Sequence, residues 1–360
     1  MRDLLRDLAR WQRQGKAAAW ARVVDLEGSG PRDPGAAMAV SADGEVIGSV
    51  SGGCVEGAVV TEALEVLGTG IPRLVTFGYS DDDAFAVGLT CGGTVHLFIE
   101  PFTGVPDLEA AIRDHRPAVL ATVVDGVGAG ESLLLIDGAE PIGGLANADL
   151  QRVVQRDAEA ALAAGSTSVR SYGDCGEANE DSVTVFIEAF APPPRMLVFG
   201  AVDFTAALVR VAKVLGFHVT VCDAREVFAT KARFPLADEV VVDWPNRHLA
   251  EVGASLGPRD AICVLTHDAK FDVPAIVAAL DTKVGYLGAM GSRRTTEQRS
   301  DRLRAEGVTD EQLRRLQAPI GLDLGARTPE ETAVAICAEI IAHRTGKTAP
   351  RLRDGTGPIH

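Results

Sequence analysis

The sequence predicts an α/β protein: an N-terminal α/β domain built from an internal repeat, and a C-terminal Rossmann-like domain with a doubly wound parallel sheet. Two observations indicate this fold class. Similar segments recur in the first half, and apolar strand patterns alternate with helical patterns in the second. Between the halves lie three successive prolines, 192–194, which act as a stiff spacer because they cannot join a helix or a central strand. We therefore expect an N-terminal domain at 1–190, a Rossmann-like domain at 195–345 and a tail at 346–360.

The composition is that of an ordinary globular protein, since 46% of its 360 residues are hydrophobic and 24% are charged. The 35 Lys and Arg residues against 50 Asp and Glu residues give a net charge of −15, which disfavours binding to nucleic acid or to an anionic membrane. The six cysteines include no C-x-x-C pair, a pattern that fits reduced thiols. No stretch resembles a signal peptide or a bilayer span, so we expect a cytoplasmic protein.

Three pairs of similar segments indicate that the first half is a repeat. They are ARVVD at 21–25 with ATVVD at 121–125, DGEVIGS at 43–49 with DGAEPIGG at 137–144, and FIEPF at 98–102 with FIEAF at 186–190. Each copy predicts a strand, an Asp-Gly hairpin, a helix and two further strands. Chance recurrence of similar strand patterns is the alternative interpretation.

The two copies differ in three loops, which we expect to form the functional site on a shared scaffold. The first copy contains the loop EGSGPRDPG at 27–35, the turn SGGC at 51–54, and a long segment at 79–93 that ends in TCGG. The second copy shortens the first and third of these loops and has ANAD in place of SGGC. Arg32, in the first loop, is the candidate basic group of this half for an anionic ligand.

The turn at 51–54 places a thiol at the start of a helix. Cys54 follows Gly52 and Gly53 and opens a stretch whose apolar residues recur at helical spacing. Unpaired N–H groups and the positive end of the helix dipole are expected to stabilise its thiolate, and glycines let a ligand approach the backbone closely. Glu56 belongs to the same candidate site. The alternative is that Cys54 is a small buried residue, as most cysteines outside disulfides are.

A second cysteine has similar surroundings. Cys91 precedes Gly92 and Gly93 in the run GLTCGG, and the same alternative of simple burial applies to it. Two thiols beside paired glycines in one domain favour a functional role for both. We therefore take Cys54 and Cys91, with their neighbouring glycines, as candidate binding residues.

The second half predicts a Rossmann-like sheet. MLVFG at 196–200, a helical pattern and FHVTVCD form a βαβ unit, and further apolar runs follow that are typical of parallel strands. Gly200 and Asp223 end the first and second strands as in NAD-binding folds, but Val202 replaces the second glycine and Asp203 adds a negative charge where pyrophosphate would lie. The sequence thus predicts an altered NAD fingerprint that disfavours NAD(P) in its usual pose.

The run GAMGSRR is the candidate phosphate site of this half. Gly291, Ser292, Arg293 and Arg294 lie at a predicted turn from strand to helix, where N–H groups and guanidinium forks suit phosphate. The alternative is a helix capped by Ser292 with arginines that face solvent.

Three further segments complete the second half. His267 follows a predicted strand, and both a hydrogen-bonding turn residue and a proton carrier remain open for it. Asp323 belongs to the glycine-containing loop IGLDLGAR, a candidate lining of the same crevice. Thr328 and Glu331 predict a capping box, and Cys337 is predicted to pack on the apolar face of the helix that follows.

The motifs in this order resemble those of the XdhC/CoxI family, accessory proteins of molybdenum hydroxylases such as xanthine dehydrogenase and carbon monoxide dehydrogenase. The resemblance covers most of the chain and rests on GSGPRDPGAAM, SGGCVEG, GLTCGG, YLGAMGSRR and APIGLDLGARTPEETAVAICAEI. It implies that the protein binds the molybdenum cofactor, a molybdopterin phosphate, protects it while a terminal sulfur is installed, and delivers it to the apo-hydroxylase.

The same resemblance implies roles for particular residues. Cys54 and Cys91 would contact the metal or the sulfur of the cofactor, in keeping with the softness of thiolate ligands. Its phosphate would be taken by Ser292, Arg293 and Arg294. Family members commonly have GAGHV where this chain has GAVDF, so the nucleotide or cofactor form that it handles is an open question.

Three functions follow from these observations. The first is a non-catalytic cofactor chaperone, whose expected partners are a molybdenum hydroxylase of the xanthine or carbon monoxide dehydrogenase type and a cysteine desulfurase. The second is an NAD(P)-dependent oxidoreductase, which the altered fingerprint disfavours. The third is an interaction module for a molybdenum hydroxylase, in which the glycine loops are only structural. A homodimer is the default expectation for a soluble protein that self-associates.

Overall fold

The structure is a computed structural model that describes residues 2–28, 30, 32–78, 93–177 and 182–354. The chain forms two compact units, which divide between Pro192 and Pro193 within the proline run. Among the described helices, none has both the length and the apolar character needed to cross a membrane.

The first unit contains the same succession of elements twice: a helix, three strands, a helix and two strands. The first copy comprises α1 (Arg2–Arg13), β1 (Ala18–Glu27), β2 (Ala37–Ser41), β3 (Val46–Gly48), α2 (Glu56–Thr69), β4 (Arg73–Phe77) and β5 (Thr94–Pro101). The second copy comprises α3 (Pro106–Arg113), β6 (Ala118–Asp125), β7 (Ser132–Ile136), β8 (Ile142–Gly144), α4 (Ala148–Ala164), β9 (Ser168–Tyr172) and β10 (Val183–Phe190).

Each copy folds into a five-stranded antiparallel sheet with the same strand order, β3-β2-β1-β5-β4 in the first and β8-β7-β6-β10-β9 in the second. Equivalent residues keep equivalent registers. Arg22 of β1 lies opposite Phe98 of β5, as Thr122 of β6 lies opposite Phe186 of β10. The shared topology confirms the internal repeat and rules out chance recurrence of strand patterns.

Both faces of each sheet are buried. One face of the first sheet packs against α2 through Val59, Ala63 and Val66, and one face of the second sheet packs against α4 in the same way. The remaining faces of the two sheets pack on each other around Phe98 and Phe186. Helices α1 and α3 add apolar residues to this middle layer.

A buried ion pair lies between the two sheets. Arg22 is fully buried, and its guanidinium donates to Glu100 Oε1 at 2.6 Å and to Glu188 Oε2 at 3.3 Å. It also donates to Thr122 Oγ1 at 3.2 Å and stacks on the Trp20 ring at 4.5 Å. Burial raises the pKa of Glu188, while the charge of Arg22 acts against that rise. Glu100 and Glu188 are equivalent residues of the repeat, so one arginine serves both copies.

The second unit alternates strands and helices around a single sheet. Its elements are β11 (Arg195–Phe199), α5 (Asp203–Val214), β12 (His218–Cys222), β13 (Glu239–Val241), α6 (Pro245–Val252), β14 (Ala261–Val264), α7 (Ala269–Leu280), β15 (Tyr286–Ala289), α8 (Arg293–Ala305), α9 (Asp310–Leu313), β16 (Leu316–Gln317) and α10 (Pro329–Thr345). Short 3-10 turns occur at Gly253–Ser255 and Leu352–Asp354.

The sheet of the second unit is parallel, with the order β13-β12-β11-β14-β15-β16. Helices α5 and α10 cover one face, and α6, α7 and α8 cover the other. This is the predicted doubly wound, Rossmann-like arrangement, with the strand order reversing between β11 and β14.

The last helix begins and packs as predicted. Thr328 Oγ1 accepts from the N–H of Glu331 at 3.2 Å, and Glu331 Oε2 accepts from the N–H of Thr328 at 3.0 Å, which forms the capping box. Cys337 lies in the core of the second unit, where burial raises the pKa of its thiol to about 12.

Candidate functional site

The strands bring three loops of the first copy to one end of its sheet. The directions of the antiparallel strands place the described ends of the β1–β2 loop, the turn between β3 and α2, and the described ends of the β4–β5 segment at the same edge. Two described ends of these loops are close together, because a Cβ on Gly28 would lie 3.5 Å from the Cα of Gly93. The turn that leads to Cys54 starts from this edge, where the N–H of Ser49 donates to Ala37 O at 3.1 Å.

A carboxylate organises the turn that carries Cys54. Glu56, the first residue of α2, accepts from the Ser49 hydroxyl at 2.6 Å and from the N–H of Ser51 at 2.9 Å on Oε1. Its Oε2 accepts from the Ser51 hydroxyl and from the N–H of Gly53 at 2.8 Å. Burial raises the pKa of this carboxyl group, but the hydrogen bonds from Ser49 and Ser51 outweigh burial and lower the pKa from 4.5 to about 2. Glu56 is therefore a fixed negative charge whose oxygens are committed to the turn.

The backbone N–H groups of this turn are committed as well. Ser49 Oγ accepts from the N–H of Gly52 at 2.9 Å. Ser51 Oγ accepts from the N–H groups of Cys54 and Val55 at 2.9 and 3.0 Å. The sequence predicts unpaired N–H groups around the thiol. That prediction is wrong for residues 52–55, because each of their N–H groups donates to Ser49, Ser51 or Glu56.

Neither serine is among the site residues predicted from the sequence. Ser49 and Ser51 precede the helix in the run SVSGG, and serine is a preferred cap residue before a helix. Together with the glutamate of SGGCVEG, this spacing is the signal that could have identified the internal hydrogen-bond network.

Cys54 lies directly before Val55, the N-cap of α2, and is half-buried against the apolar residues beneath that helix. Gly52 and Gly53 have φ values of +74° and +120°, which favour glycine. Among the described residues other than the chain neighbours of each glycine, no heavy atom lies within 4 Å of where a Cβ on Gly52 or Gly53 would stand. The turn thus offers a partly exposed thiol beside bare backbone, which a close-fitting ligand requires.

The remaining predicted residues of the first copy either belong to loops at the same end of the sheet or lie outside the described residues. Arg32 is exposed in the β1–β2 loop, which is anchored where the N–H of Gly35 donates to Val23 O at 2.8 Å. Gly93 is buried directly before β5. Cys91 and Gly92 lie outside the described residues, so the role of the second thiol stays a prediction.

In the second unit, the predicted residues follow the carboxyl ends of parallel strands. Gly200 follows β11, Asp223 follows β12, His267 comes shortly after β14, Ser292 after β15 and Asp323 after β16. Ligands of open α/β sheets bind along this edge, near the point where the strand order reverses. Gly200, Asp223 and His267 therefore lie at or near this edge, while Ser292 and Asp323 belong to the loops that follow β15 and β16.

In the turn after β11, side chains of the protein itself accept the hydrogen bonds of the backbone N–H groups. Gly200 has a φ of +115°, and a Cβ there would lie 3.0 Å from the Thr266 nitrogen, so this glycine permits close contact between the ends of β11 and β14. The N–H of Ala201 donates to Asp223 Oδ2 at 2.8 Å, and the N–H of Val202 donates to Thr205 Oγ1 at 3.4 Å. The N–H groups that would meet a pyrophosphate are thus already bonded.

Asp223 is engaged in the same way. It is 3% exposed, and its carboxylate accepts from the N–H, Nε and Nη2 of Arg225 at 2.9, 2.9 and 2.8 Å. Burial raises the pKa of Asp223, but the hydrogen bonds from Arg225 outweigh it and lower that pKa. A ribose hydroxyl would have to displace Arg225, so this arrangement does not favour NAD(P) in its usual pose.

His267 is exposed shortly after the carboxyl end of β14, and Asp323 is exposed as well. Asp268, the neighbour of His267, caps α7 by accepting from the N–H of Lys270 at 3.1 Å. Asp323 lies in the loop between β16 and α10.

The turn after β15 combines a helix N-terminus with uncommitted positive charge. Ser292 is the N-cap of α8, and its Oγ accepts from the N–H of Thr295 at 3.1 Å. Arg293 and Arg294 are exposed, and neither forms an ion pair with another described residue. The capping role of Ser292 is thus observed, and the arginines remain available for an anion.

The other described cysteines divide into core and surface. Cys222, Cys263 and Cys337 are buried, and Cys175 is exposed in the second copy. Burial raises the pKa of the Cys222 thiol to about 12, as for Cys337. No three His, Cys, Asp or Glu side chains of the described part of the chain are grouped so as to hold a metal ion.

The chain matches the XdhC and CoxI family over residues 11–78 and the XdhC Rossmann domain over residues 196–340. A protein of Bacillus subtilis (strain 168), named as a probable subunit of xanthine dehydrogenase, is 30% identical over 333 residues, which cover 91% of this chain and 93% of the relative. The molybdenum cofactor insertion chaperone PaoD of Escherichia coli (strain K12) is 26% identical over 344 residues, 95% of this chain and 88% of that protein. A crystal structure of a xanthine dehydrogenase from Bacillus halodurans has a TM-score of 0.73 and 26% identity, with 98% of both chains covered.

Proposed function

Because this chain belongs to the XdhC and CoxI family, we propose that it is an accessory protein that binds the molybdenum cofactor and supports its insertion into a molybdenum hydroxylase. Support comes from two relatives, one named a molybdenum cofactor insertion chaperone and the other a probable subunit of xanthine dehydrogenase. The cofactor is cargo in this role. The protein then needs ligands and positioning groups rather than a set of catalytic residues.

The observation that carries the proposal is the turn at Cys54. A thiolate is a soft ligand that suits a sulfur-rich molybdenum centre. Apart from chain neighbours, no described heavy atom lies within 4 Å of where a Cβ on Gly52 or Gly53, the two residues before this thiol, would stand. Glu56 stays ionised at neutral pH, since its pKa is about 2, and so holds the turn in this form. Cys91, in the third loop of the same copy, is the proposed second thiol.

We assign the phosphate of the cofactor to the N-terminus of α8. Its first N–H groups and the positive end of its dipole attract an anion. Arg293 and Arg294 can donate paired hydrogen bonds to phosphate oxygens, because no carboxylate among the described residues neutralises them. Ser292 holds the turn in place as the N-cap.

The proposal includes sulfuration of the cofactor while it is bound. The sulfur source would be a cysteine desulfurase, and the recipient a hydroxylase of the xanthine or carbon monoxide dehydrogenase type. An open turn beside a half-buried thiol supports this role, since the cargo must be both held and reached.

The test is the molybdopterin content of protein purified from cells that make the cofactor, measured by native mass spectrometry. We expect Cys54→Ser and Cys91→Ser each to lower that content by at least about tenfold, the usual scale for loss of a metal-site interaction. Cys175→Ser is the matched control, because Cys175 is an exposed cysteine of the second copy, and its content should not change.

A molybdopterin content in Cys54→Ser and Cys91→Ser equal to that of Cys175→Ser and of the unaltered protein would contradict the proposal. Intact maturation of the hydroxylase by the Cys54→Ser/Cys91→Ser double variant would instead favour the interaction module. The oxidoreductase alternative has a separate test, the quenching of nicotinamide fluorescence at micromolar dinucleotide. The bonded N–H groups of Ala201 and Val202 lead us to expect no quenching.

A further inference from the structure

Beneath the α8 turn lies a buried arginine that sequence analysis did not single out. Arg299 of α8 is 3% exposed, and its Nη2 donates to Asp272 Oδ2 at 2.9 Å and to Met290 O at 2.7 Å. Thr266, just after β14, donates in turn to Asp272 Oδ1. The guanidinium is therefore fixed by α7 on one side and by the end of β15 on the other.

One nitrogen of this fixed group has no partner. Nη1 of Arg299 is buried and makes no hydrogen bond with any described residue. Buried donors in folded proteins are almost always satisfied, because the lost hydration is otherwise uncompensated. The described residues therefore supply no acceptor for Nη1, and a bound group could provide one.

The unpartnered nitrogen lies next to the turn of the proposed phosphate site. A Cβ on Gly291 would stand 3.6 Å from Nη1 and 3.3 Å from the Cβ of Thr295. A side chain at 291 would fill this space between Thr295 and the guanidinium, whereas glycine leaves it clear. The unpartnered donor therefore lies beside Gly291, the residue directly before the N-cap of α8.

The charges agree with an anion in that region. Arg299 is neutralised by Asp272, while Arg293 and Arg294 have no carboxylate partner among the described residues. The turn thus offers two uncompensated positive charges, a helix dipole and the buried Nη1 of Arg299. A phosphoryl group carries the charge and the several acceptor oxygens that this combination requires.

We propose that Arg299 is a third arginine of the phosphate site, whose Nη1 donates to a phosphoryl oxygen bound at the N-terminus of α8. The inference rests on the proposed function, in which Ser292 and the two exposed arginines take the phosphate of the cofactor. Arg293 and Arg294 supply charge from the solvent side, and Arg299 supplies a fixed donor from the protein side. Thr266 and Asp272 are positioning residues, since they hold the guanidinium.

The test uses the full-length protein and inorganic phosphate as the probe, with affinity measured by 31P NMR titration. Arg299→Lys should weaken phosphate binding by roughly tenfold or more, because lysine keeps the charge beside Asp272 but loses the second arm of the guanidinium. Arg302→Lys, on the exposed side of the same helix, should bind phosphate like the unaltered protein. Arg293→Ala should also weaken binding and so reports on the exposed part of the site.

A second measurement needs no variant at Arg299. Carbon-detected NMR of the guanidinium groups in the unaltered protein should show the Arg299 resonance shifting as phosphate is added, and the Arg302 resonance staying in place. An unmoved Arg299 resonance would overturn the inference even where Arg299→Lys fails to fold. It would also indicate that water is the missing acceptor.

The outcomes separate this inference from the proposed function. Unchanged affinity in Arg299→Lys, together with weakened affinity in Arg293→Ala, overturns the role of Arg299 and leaves the exposed phosphate site standing. Absence of phosphate binding by the unaltered protein contradicts the phosphate assignment of the proposed function as well.

Discussion

The two copies of the repeat have the same scaffold but start their second helices at different points. Glu56 and Gln151 are equivalent, since each accepts from the N–H six residues before it, at 3.3 Å from Val50 and 2.8 Å from Leu145. Yet α2 begins at Glu56 itself, while α4 begins at Ala148, three residues before Gln151. Relative to the second copy, the first turn of the helix is unwound in the first copy.

The residues of the turn explain the difference. In the second copy, Asn147 caps α4 by accepting from the N–H groups of Asp149 and Leu150 at 2.9 and 3.2 Å. In the first copy, left-handed glycines and the serine hydroxyls replace this cap. The unwound residues are Gly53, Cys54 and Val55, so the thiol leaves the helix and is presented on the turn.

The proposed function places the binding residues of this duplicated fold in its loops rather than in its scaffold. In the second copy, the equivalent three loops line a cleft of about 430 Å³ that includes Glu131, Asn147 and Asp174. The scaffold alone therefore gathers loops at one end of a sheet. The paired glycines and the thiol are what distinguish the first copy.

The largest expected effect comes from the residue that most clearly breaks the symmetry of the repeat. Arg22 and Thr122 are equivalent, but only the arginine carries a charge between Glu100 and Glu188. Replacing Arg22 with Met should lower the free energy of unfolding by about 3–5 kcal/mol, because two carboxylates then lose their common cation in a buried layer. Urea denaturation of the variant measures the change.

Two further variants sharpen this result. Thr122→Val removes only one hydrogen bond to Arg22, so it should cost about 1 kcal/mol. Adding Glu188→Gln to Arg22→Met should recover part of the loss, since Glu188 is the more buried carboxylate. A loss below about 1 kcal/mol in Arg22→Met would show that the ion pair does not stabilise the interface between the copies.

The next effect compares the two turns directly. Glu56→Ala should lower the free energy of unfolding by about 2 kcal/mol, because two hydroxyl and three N–H donors lose their acceptor. Gln151→Ala removes one N–H acceptor of the second copy and should cost about 1 kcal/mol. Chemical denaturation of both variants gives the difference, and equal losses would contradict the organising role of the carboxylate.

A pH profile sharpens the same comparison. The pKa of Glu56 is lowered from 4.5 to about 2 in the folded protein, so its contribution to stability is complete above pH 4.5 and is lost as the pH falls towards 2. After allowance for solvent screening, that contribution is about 1–2 kcal/mol. The free energy of unfolding should therefore differ between the unaltered protein and Glu56→Gln above pH 4.5, and this difference should shrink as the pH falls through this window. A difference that stays constant over it would exclude Glu56 as the titrating group.

The scaffold of this protein could be predicted from its sequence because the signals are local. Apolar runs such as Met196–Gly200 and matched motifs such as FIEPF and FIEAF report buried strands directly. The capping box of Thr328 and Glu331 is likewise complete within four residues. These features need no knowledge of distant contacts.

The site could be predicted only in part because its chemistry depends on which atoms are already bonded. The glycines around Cys54 marked an open turn, but the N–H groups that were expected to face an anion are bonded to Ser49, Ser51 and Glu56. Asp223 ends its strand as predicted, yet Arg225 covers its carboxylate. Arg299 went unnoticed because its partner Asp272 is 27 residues away in the chain.

The smallest expected effect tests whether the two turns require different backbones. Gly53 has a φ of +120°, whereas the equivalent Ala148 is the first residue of α4. Gly53→Ala should cost about 1 kcal/mol, because alanine resists a left-handed backbone even where space is clear. Ala148→Gly should cost less, since glycine is tolerated at the start of a helix. Thermal unfolding of both variants decides the matter. If Gly53→Ala cost nothing, the turn could adopt the helical form of the second copy, and Cys54 would not need its glycines to stay outside the helix.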